Sequence, residues 1–361
     1  MNYWKELNIN PQLQAKLDKR GKVYDPPSDL LFESPIVTQQ MLCISPFDVN
    51  TLQHAASNLL VPQKFTAHEL LNTEKMLTTG DSQLDQVLGG GVVVGGGITE
   101  LFGESGTGKT QFCMQLCLTV QLPEENGGLD GEAIYMACET KLPLRLLHRL
   151  LPTFRTRFPS LPINASSRIH FHILPDVDTQ LHILRYHLPA FLEQRRGRVR
   201  LIVVDSIAAN FRAEWEDMRA KTESIAGKIG SKKEKGNIGK IEAGFDKNHE
   251  LCEMAIMLKQ IASQGVAVVC VNEVSTRIST ETMFTDELAG YYGNRNKRFN
   301  PALGLVWSNA VNTRIRLSRV RKTNDNSSRS EKRWLNVEFA SHAPANIQSA
   351  FHIREDGLYS A

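Results

Sequence analysis

Short apolar runs alternate with segments of helical periodicity along the middle of this chain. The runs are rich in β-branched residues and predict buried strands over 98–102, 133–138, 169–174, 200–205 and 266–272. Apolar residues at helical spacing predict helices over 111–122, 142–151, 178–193 and 251–263. Because the predicted strands and helices alternate along the chain, we expect an α/β domain with a twisted, mostly parallel sheet.

The two ends of the chain follow other patterns. Residues 1–60 carry short helical patterns interrupted by prolines, which predicts a small helical N-terminal domain, and residues 61–79 are expected to form a linker. The main domain takes up 80–361, and its tail alternates like antiparallel strands over 313–320, 334–339 and 351–354. Basic residues along the first of these predict one exposed basic face, and they are Arg314, Arg316, Arg319 and Arg321.

The segment between the first strand and the first helix of the main domain predicts a phosphate-binding loop. Residues 103–110 read GESGTGKT and fit the pattern G-x-x-x-x-G-K-[ST]. Glycines there can take positive φ, so that successive backbone N–H groups form an anion nest. Lys109 would contact the β and γ phosphates of ATP, and Thr110 would offer a hydroxyl to Mg²⁺. The residues predicted to bind the nucleotide are Gly103, Glu104, Ser105, Gly106, Thr107, Gly108, Lys109, Thr110 and Gln111.

Polar residues follow three of the predicted strands, at the edge where the phosphate loop begins. Glu139 directly follows the strand 133–138, which is where an ATPase carries the carboxylate that orients the attacking water. Glu139 and Lys109 are therefore the predicted catalytic residues. The alternative for Glu139 is that it caps the following helix. Asp205 ends an aliphatic strand, as does the aspartate that holds Mg²⁺ through water beside the loop threonine. Asn272 and Glu273 end a further strand and are predicted sensors of the γ-phosphate.

Two long basic segments predict loops. Residues 212–248 are rich in glycine and lysine, and they form either a surface that follows a phosphate backbone or a solvated insert. Residues 274–300 mix basic with aromatic residues, which suits single-stranded nucleic acid; the alternative is a loop whose rings anchor it to its own domain. The predicted DNA contacts are Arg212, Lys232, Lys233, Lys235, Arg295, Lys297 and Arg298.

Composition narrows the class of protein. The chain has 361 residues, a formal net charge of +3 and 41% hydrophobic residues, which is ordinary for one large and one small soluble domain. Its 6 cysteines lack C-x-x-C spacing and predict buried thiols in a reducing compartment, without a disulfide frame or metal site. Because neither a secretory signal nor a membrane-length apolar run is seen, we expect an intracellular protein with no membrane contact.

Taken in order, these motifs resemble the RecA-type recombinases, and within them the eukaryotic paralogues with a small helical N-terminal domain. GESGTGKTQ and LIVVDSIAANFR carry the resemblance, which covers almost the whole chain. It implies a RecA-like P-loop ATPase core, ATP and Mg²⁺ as cofactors, homologous recombination repair of DNA double-strand breaks, and a location in the nucleus with some protein in the cytoplasm. The implied partners are a second recombinase paralogue in a heterodimer, the main recombinase, and single-stranded DNA or recombination junctions.

Two departures from the family pattern bear on mechanism. Recombinases of this fold carry Asn-Gln where this chain has Asn272-Glu273, and a carboxylate beside the γ-phosphate would repel it unless a cation intervenes. The family's Phe-x-x-Ala docking stretch reads KFTA at 64–67, with the phenylalanine displaced. Two functions stay open: an ATPase with weak, DNA-stimulated turnover that assists the recombinase, or an assembly scaffold clamped by ATP with little hydrolysis. A self-sufficient strand-exchange enzyme and a P-loop kinase fit less well.

Overall fold

The computed structural model describes residues 33–60, 74–138, 142–211, 235–275, 300–320 and 332–361, together with the single positions 11, 13, 15, 30, 66 and 67. The chain divides into two compact units, Met1–Thr73 and Glu74–Ala361.

The N-terminal unit contains helices α1 (Pro35–Leu42) and α2 (Pro46–Leu60). Each begins with a proline, whose fixed φ suits the first helical turn and whose missing N–H is not needed there. The prolines that interrupt the helical pattern thus mark where these two helices start. A small apolar cluster is buried in this unit, and its members are Leu13, Leu30, Leu42, Ile44, Val49, Leu52 and Ala56.

The second unit alternates strands with helices. Its strands are β1 (Lys75–Leu77), β2 (Val92–Val94), β3 (Ile98–Gly103), β4 (Glu132–Ala137), β5 (Ile169–Ile173), β6 (Val199–Asp205), β7 (Ala267–Asn272), β8 (Val274–Ser275), β9 (Asn300–Pro301), β10 (Thr313–Val320), β11 (Lys332–Phe339), β12 (Gln348–Arg354) and β13 (Gly357–Ser360). Its helices are α3 (Ser82–Val87), α4 (Lys109–Thr119), α5 (Leu144–Arg157), α6 (Val177–His182), α7 (Leu188–Gln194), α8 (Lys235–Ala262) and α9 (Gly304–Ala310). A π-helical turn, Ile183–His187, joins α6 to α7.

A nine-stranded sheet forms the centre of this unit, in the order β13-β12-β11-β10-β3-β7-β6-β4-β5. The strands from β10 to β5 in that order are parallel, and β11, β12 and β13 extend the sheet antiparallel. Every position of β3, β4 and β7 is buried, as expected of a parallel sheet with both faces covered. The predicted α/β fold, with a mostly parallel sheet and antiparallel strands at its C-terminal end, is confirmed.

The predicted linker extends too far into the second unit. Within 61–79 lies β1, which pairs antiparallel with β2 so that Leu77 opposes Val92. A few residues later Asp81 caps α3, because its carboxylate accepts the backbone N–H of Leu84 at 3.0 Å. Residues 74–79 therefore belong to the folded second unit, in agreement with a division of the chain after Thr73.

Helix α8 corrects the prediction of a loop over 212–248, because it begins at Lys235 and includes the last part of that segment. Buried residues of its C-terminal half, including Met254 and Leu258, anchor α8 in the core. Once a helix is nucleated, each further residue adds a hydrogen bond at little cost, and no proline stops the helix between 235 and 262. Residues 212–234 lie outside the described residues.

The buried position of Arg314 corrects the prediction of one exposed basic face along β10. β10 is an interior strand that lies between β3 and β11, and in register Arg314 stands beside Glu100 of β3. Arg314 Nε donates to Glu100 Oε2, 2.5 Å away. A pattern of arginines along one strand could not reveal a partner 214 residues away.

Glu100 joins four elements of the second unit. Besides Arg314 of β10, its carboxylate accepts Trp307 Nε1 of α9 at 2.9 Å and Asn272 Nδ2 of β7 at 2.7 Å. Glu100 has no exposed surface, and a buried carboxylate is stable only where charge and donors compensate it. The three donors therefore hold β3, β7, β10 and α9 in one arrangement.

The prediction of buried thiols is right for four cysteines and wrong for two. Cys113, Cys117, Cys138 and Cys270 are buried, and Cys43 and Cys252 are exposed. Burial raises the pKa of the Cys113, Cys117 and Cys270 thiols, so these three stay protonated and unreactive near neutral pH.

We predict that Glu100→Ala lowers the free energy of unfolding by about 3–5 kcal/mol, because the Arg314 charge would remain buried without its partner. Urea unfolding measures the loss. The matched control is Glu124→Ala, which removes an exposed ion pair with Lys75 and should cost less than about 1 kcal/mol. Equal losses in the two variants would contradict the role given to Glu100.

Candidate nucleotide site

The predicted phosphate loop connects β3 to α4. Gly103, Gly106 and Gly108 have φ values of +157°, +77° and +108°, the positive values that an anion nest needs. Glu104, Ser105 and Gly106 are exposed, so a ligand can approach the backbone of the loop. Because α4 starts directly after the loop, the positive end of its dipole lies at the same place.

The side chains at the end of the loop are ordered by its own carbonyl groups. Lys109 Nζ donates to Gly103 O at 2.7 Å and to Glu104 O at 3.0 Å, so the ammonium group lies against the loop. The Thr107 hydroxyl donates to the same Glu104 oxygen at 2.8 Å. Gln111 is buried in α4, and its backbone N–H belongs to the first helical turn, where such groups have no intrahelical acceptor.

Thr110 and Asp205 come together although they are far apart in the sequence. Thr110 is the second residue of α4, and Asp205 ends β6, which is separated from β3 by β7. Thr110 Oγ1 donates to Asp205 Oδ2 at 2.9 Å. The structure thus brings the two predicted metal ligands to the same edge of the sheet.

The contact between these two side chains suits Mg²⁺ bound beside Thr110. The Asp205 carboxylate lies where it could accept hydrogen bonds from the waters that Mg²⁺ usually keeps. Among the described residues there is no cluster of three or more His, Cys, Asp or Glu side chains that could hold a metal. A metal bound beside Thr110 would take its other ligands from phosphate and water, which is how Mg²⁺ is usually held at nucleotide sites.

Tyr135 is a member of this site that the sequence did not predict. It lies on β4 with about 1% of its surface exposed, and its hydroxyl donates to Asp205 Oδ2. Burial and the neighbouring Asp205 charge raise the pKa of Tyr135, so its phenol keeps the proton that it donates. The only signal in the sequence is one hydroxyl within the apolar run AIYMAC.

Glu139, the predicted catalytic carboxylate, lies outside the described residues. The strand before it ends with Ala137, which pairs in register with Asp205 of β6. The backbone therefore leads toward the edge of the sheet that carries Thr110 and Asp205. The water-orienting role of Glu139 stays a prediction.

The side chain of Asn272 lies in the core of the sheet, and its predicted role as a sensor of the γ-phosphate stays a prediction. Asn272 has no exposed surface, its amide donates to Glu100, and its oxygen accepts the backbone N–H of Glu273 at 2.7 Å. Its side chain therefore serves the core. Glu273 directly follows β7 and is half-buried, so it is the residue of this pair that is nearer to the surface.

The predicted DNA contacts lie almost entirely outside the described residues. Of the seven, Lys235 alone is described, as the first residue of α8. The structure describes the two ends of the segment 274–300. There β8 pairs with β9, and Ala302 N donates to Glu273 O at 2.9 Å. Both ends of that segment therefore start from the rim of the sheet, next to β7.

Comparisons with known proteins agree with the motif order. A family model described as Rad51 matches residues 72–226. The DNA repair protein rhp57 of Schizosaccharomyces pombe is 33% identical over 84% of this chain and 84% of its own length. The DNA repair protein XRCC3 of Mus musculus is 31% identical over 94% of this chain and 93% of its own length. The DNA repair protein XRCC3 homolog of Arabidopsis thaliana is 32% identical over 79% of this chain and 93% of its own length.

Within the described part of the chain, no helix combines the length and the apolar character needed to cross a membrane.

We predict that Tyr135→Phe raises the Mg²⁺ concentration needed for half-maximal ATP binding by about tenfold, because groups that orient a metal ligand typically contribute that much to affinity. ATP affinity without Mg²⁺ should not change. Fluorescence titration with a labelled ATP analogue measures both. Tyr186→Phe, at an exposed tyrosine of the π-helical turn, is the control. A loss of equal size with and without Mg²⁺ would show that Tyr135 acts on the loop and not on Asp205.

Proposed function

Because this chain belongs to the Rad51 family, as its resemblance to the RecA-type recombinases predicted, we propose that it is an ATP-binding recombinase paralogue in homologous recombination repair of DNA double-strand breaks. The relatives that match it over most of their length are named DNA repair proteins. The observation that carries the proposal is the 2.9 Å contact between Thr110 and Asp205 beside a phosphate loop.

In this proposal the chain's own residues bind and orient Mg-ATP. Backbone N–H groups of 104–110 and the Lys109 ammonium hold the phosphates, and Thr110 with Asp205 holds the metal. The metal supplies positive charge that neutralises the β and γ phosphates. Glu139, just past β4, would orient a water molecule for attack on the γ-phosphate.

The second candidate is an assembly scaffold in which ATP is a clamp and is hydrolysed little. Two features of residues 272–273 favour this candidate. The Asn272 side chain is hydrogen-bonded within the core, and Glu273 is an acid where recombinases of this fold carry a neutral amide. A carboxylate near the γ-phosphate disfavours a close contact between them. Nucleotide could then be bound stably while its hydrolysis is weakly coupled to the segment 274–300.

The proposed partners are a second recombinase paralogue in a heterodimer, the main recombinase, and single-stranded DNA or recombination junctions. The DNA contacts would come from 212–248 and 274–300, with Arg212, Lys232, Lys233, Lys235, Arg295, Lys297 and Arg298 as the cations. Because the proposed role is the repair of DNA double-strand breaks, the proposed location is the nucleus. These assignments rest on the family and on the basic character of the two segments.

The proposal predicts that Lys109→Ala weakens Mg-ATP binding at least about a hundredfold, because two or more charge-assisted hydrogen bonds to phosphate are lost. Titration calorimetry of the full chain measures the affinity. Lys75→Ala, which removes an exposed lysine with one surface partner, should bind as the unchanged protein does. Normal ATP binding by Lys109→Ala would overturn the proposed nucleotide site.

Turnover separates the two candidate functions. The ATPase candidate predicts phosphate release that rises with single-stranded DNA and is abolished by Glu139→Gln. The scaffold candidate predicts tight ATP binding with no DNA-dependent release, alone or with a paralogue partner. Phosphate release that Glu139→Gln leaves unchanged would contradict the role given to Glu139.

A further inference from the structure

Strands β10 and β12 pack against the phosphate loop. A methyl group placed on Gly106 would lie 3.2 Å from Arg319 Nη1, and one placed on Gly108 would lie 2.7 Å from Ile353 Cδ1. Arg319 belongs to β10 and Ile353 to β12. The loop that would bind phosphate therefore packs directly against a guanidinium group of the same chain.

The strand register explains how Arg319 reaches the loop. β10 runs parallel to β3, and Leu317 pairs with Gly103, the residue where the phosphate loop begins. Arg319 follows two residues later on the same face of β10, because side chains alternate along a strand. That face carries the buried Leu317, so Arg319 lies just beyond the apolar core, where the core gives way to the loop.

A second arginine stands opposite the first. Arg319 pairs in register with Arg333 of β11, so the two side chains leave the same face of the sheet. The pair adds positive charge to the face of the sheet from which Arg319 touches the phosphate loop, and positive charge there favours a bound anion.

We propose that Arg319, supported by Arg333, completes the phosphate site from the side of β10. Arg319 is a positioning residue: its guanidinium supports the loop at Gly106, and its charge strengthens the binding of the nucleotide's phosphates. This inference rests on the proposed nucleotide site and adds two cations that the loop motif does not contain.

Arg316 provides a natural comparison on the same strand. It is one residue before Leu317 and therefore faces the opposite side of the sheet, where Glu338 Oε1 lies 3.9 Å from its Nε. Arg316 carries the same charge and lies close to Arg319 in sequence, but it does not face the loop. A change at Arg316 thus tests the loss of an arginine from β10 without changing the phosphate site.

The test is the affinity of the full chain for Mg-ATP, Mg-ADP and adenosine, measured by calorimetry for Arg319→Gln, Arg319→Lys and Arg316→Gln. We expect Arg319→Gln to weaken ATP and ADP binding about tenfold and to leave adenosine binding unchanged. Arg319→Lys should recover most of the loss because it keeps the charge, and Arg316→Gln should have no effect. Arg333→Gln should weaken ATP binding about threefold, which keeps the inference testable if Arg319→Gln fails to fold.

Two results would overturn this inference while leaving the proposed function intact. One is unchanged ATP affinity in Arg319→Gln together with weaker binding of single-stranded DNA, which would assign the arginine pair to DNA phosphates. The other is an equal loss for ATP and adenosine that lysine does not rescue, which would make Arg319 a structural residue only. Failure of the unchanged protein to bind Mg-ATP would instead refute the proposed nucleotide site itself.

Discussion

The buried carboxylate of Glu100 is the constraint on which the rest of the second unit depends. A carboxylate in the middle of a sheet is stable only if donors surround it, and β7, α9 and β10 each bring one. The register of β3 against both of its neighbours and the position of α9 are therefore set together. The phosphate loop begins three residues after Glu100, at the end of β3. A shift of this end of β3 would separate the buried Glu100 charge from its partners.

The hydrogen bonds of Glu100 also position the two ends of the basic segment 274–300. Asn272 joins Glu100 to the backbone of Glu273, and β8 pairs with β9 directly beyond it. A movement of this stem on nucleotide binding would break a hydrogen bond to a buried charge, at a cost of about 1.5–3 kcal/mol. That cost favours a nucleotide that holds the site in one arrangement over one that drives a large movement of the stem.

Local patterns predicted the features that neighbouring residues determine. The phosphate loop, its flanking strand and helix, and the aspartate that ends β6 all follow from short stretches of sequence, and Asp205 indeed meets Thr110. The roles of Asn272 and Arg314 could not be predicted in this way, because each is decided by a contact with Glu100, 172 and 214 residues away in the sequence. Helix α8 was predicted too short because its N-terminal part is rich in glycine and lysine, which favour a loop. In the structure this part continues the helix from a buried C-terminal half.

The most direct test of the nucleotide site is amide hydrogen exchange of the full chain, with and without a non-hydrolysable Mg-ATP analogue at saturating concentration. The account predicts strong protection of 104–111, where the backbone N–H groups of the loop and the first turn of α4 would donate to phosphate. Weaker protection is expected at the end of β6, next to the metal. Binding of the analogue with no protection of 104–111 would contradict the account, because the nucleotide would then lie elsewhere on the chain.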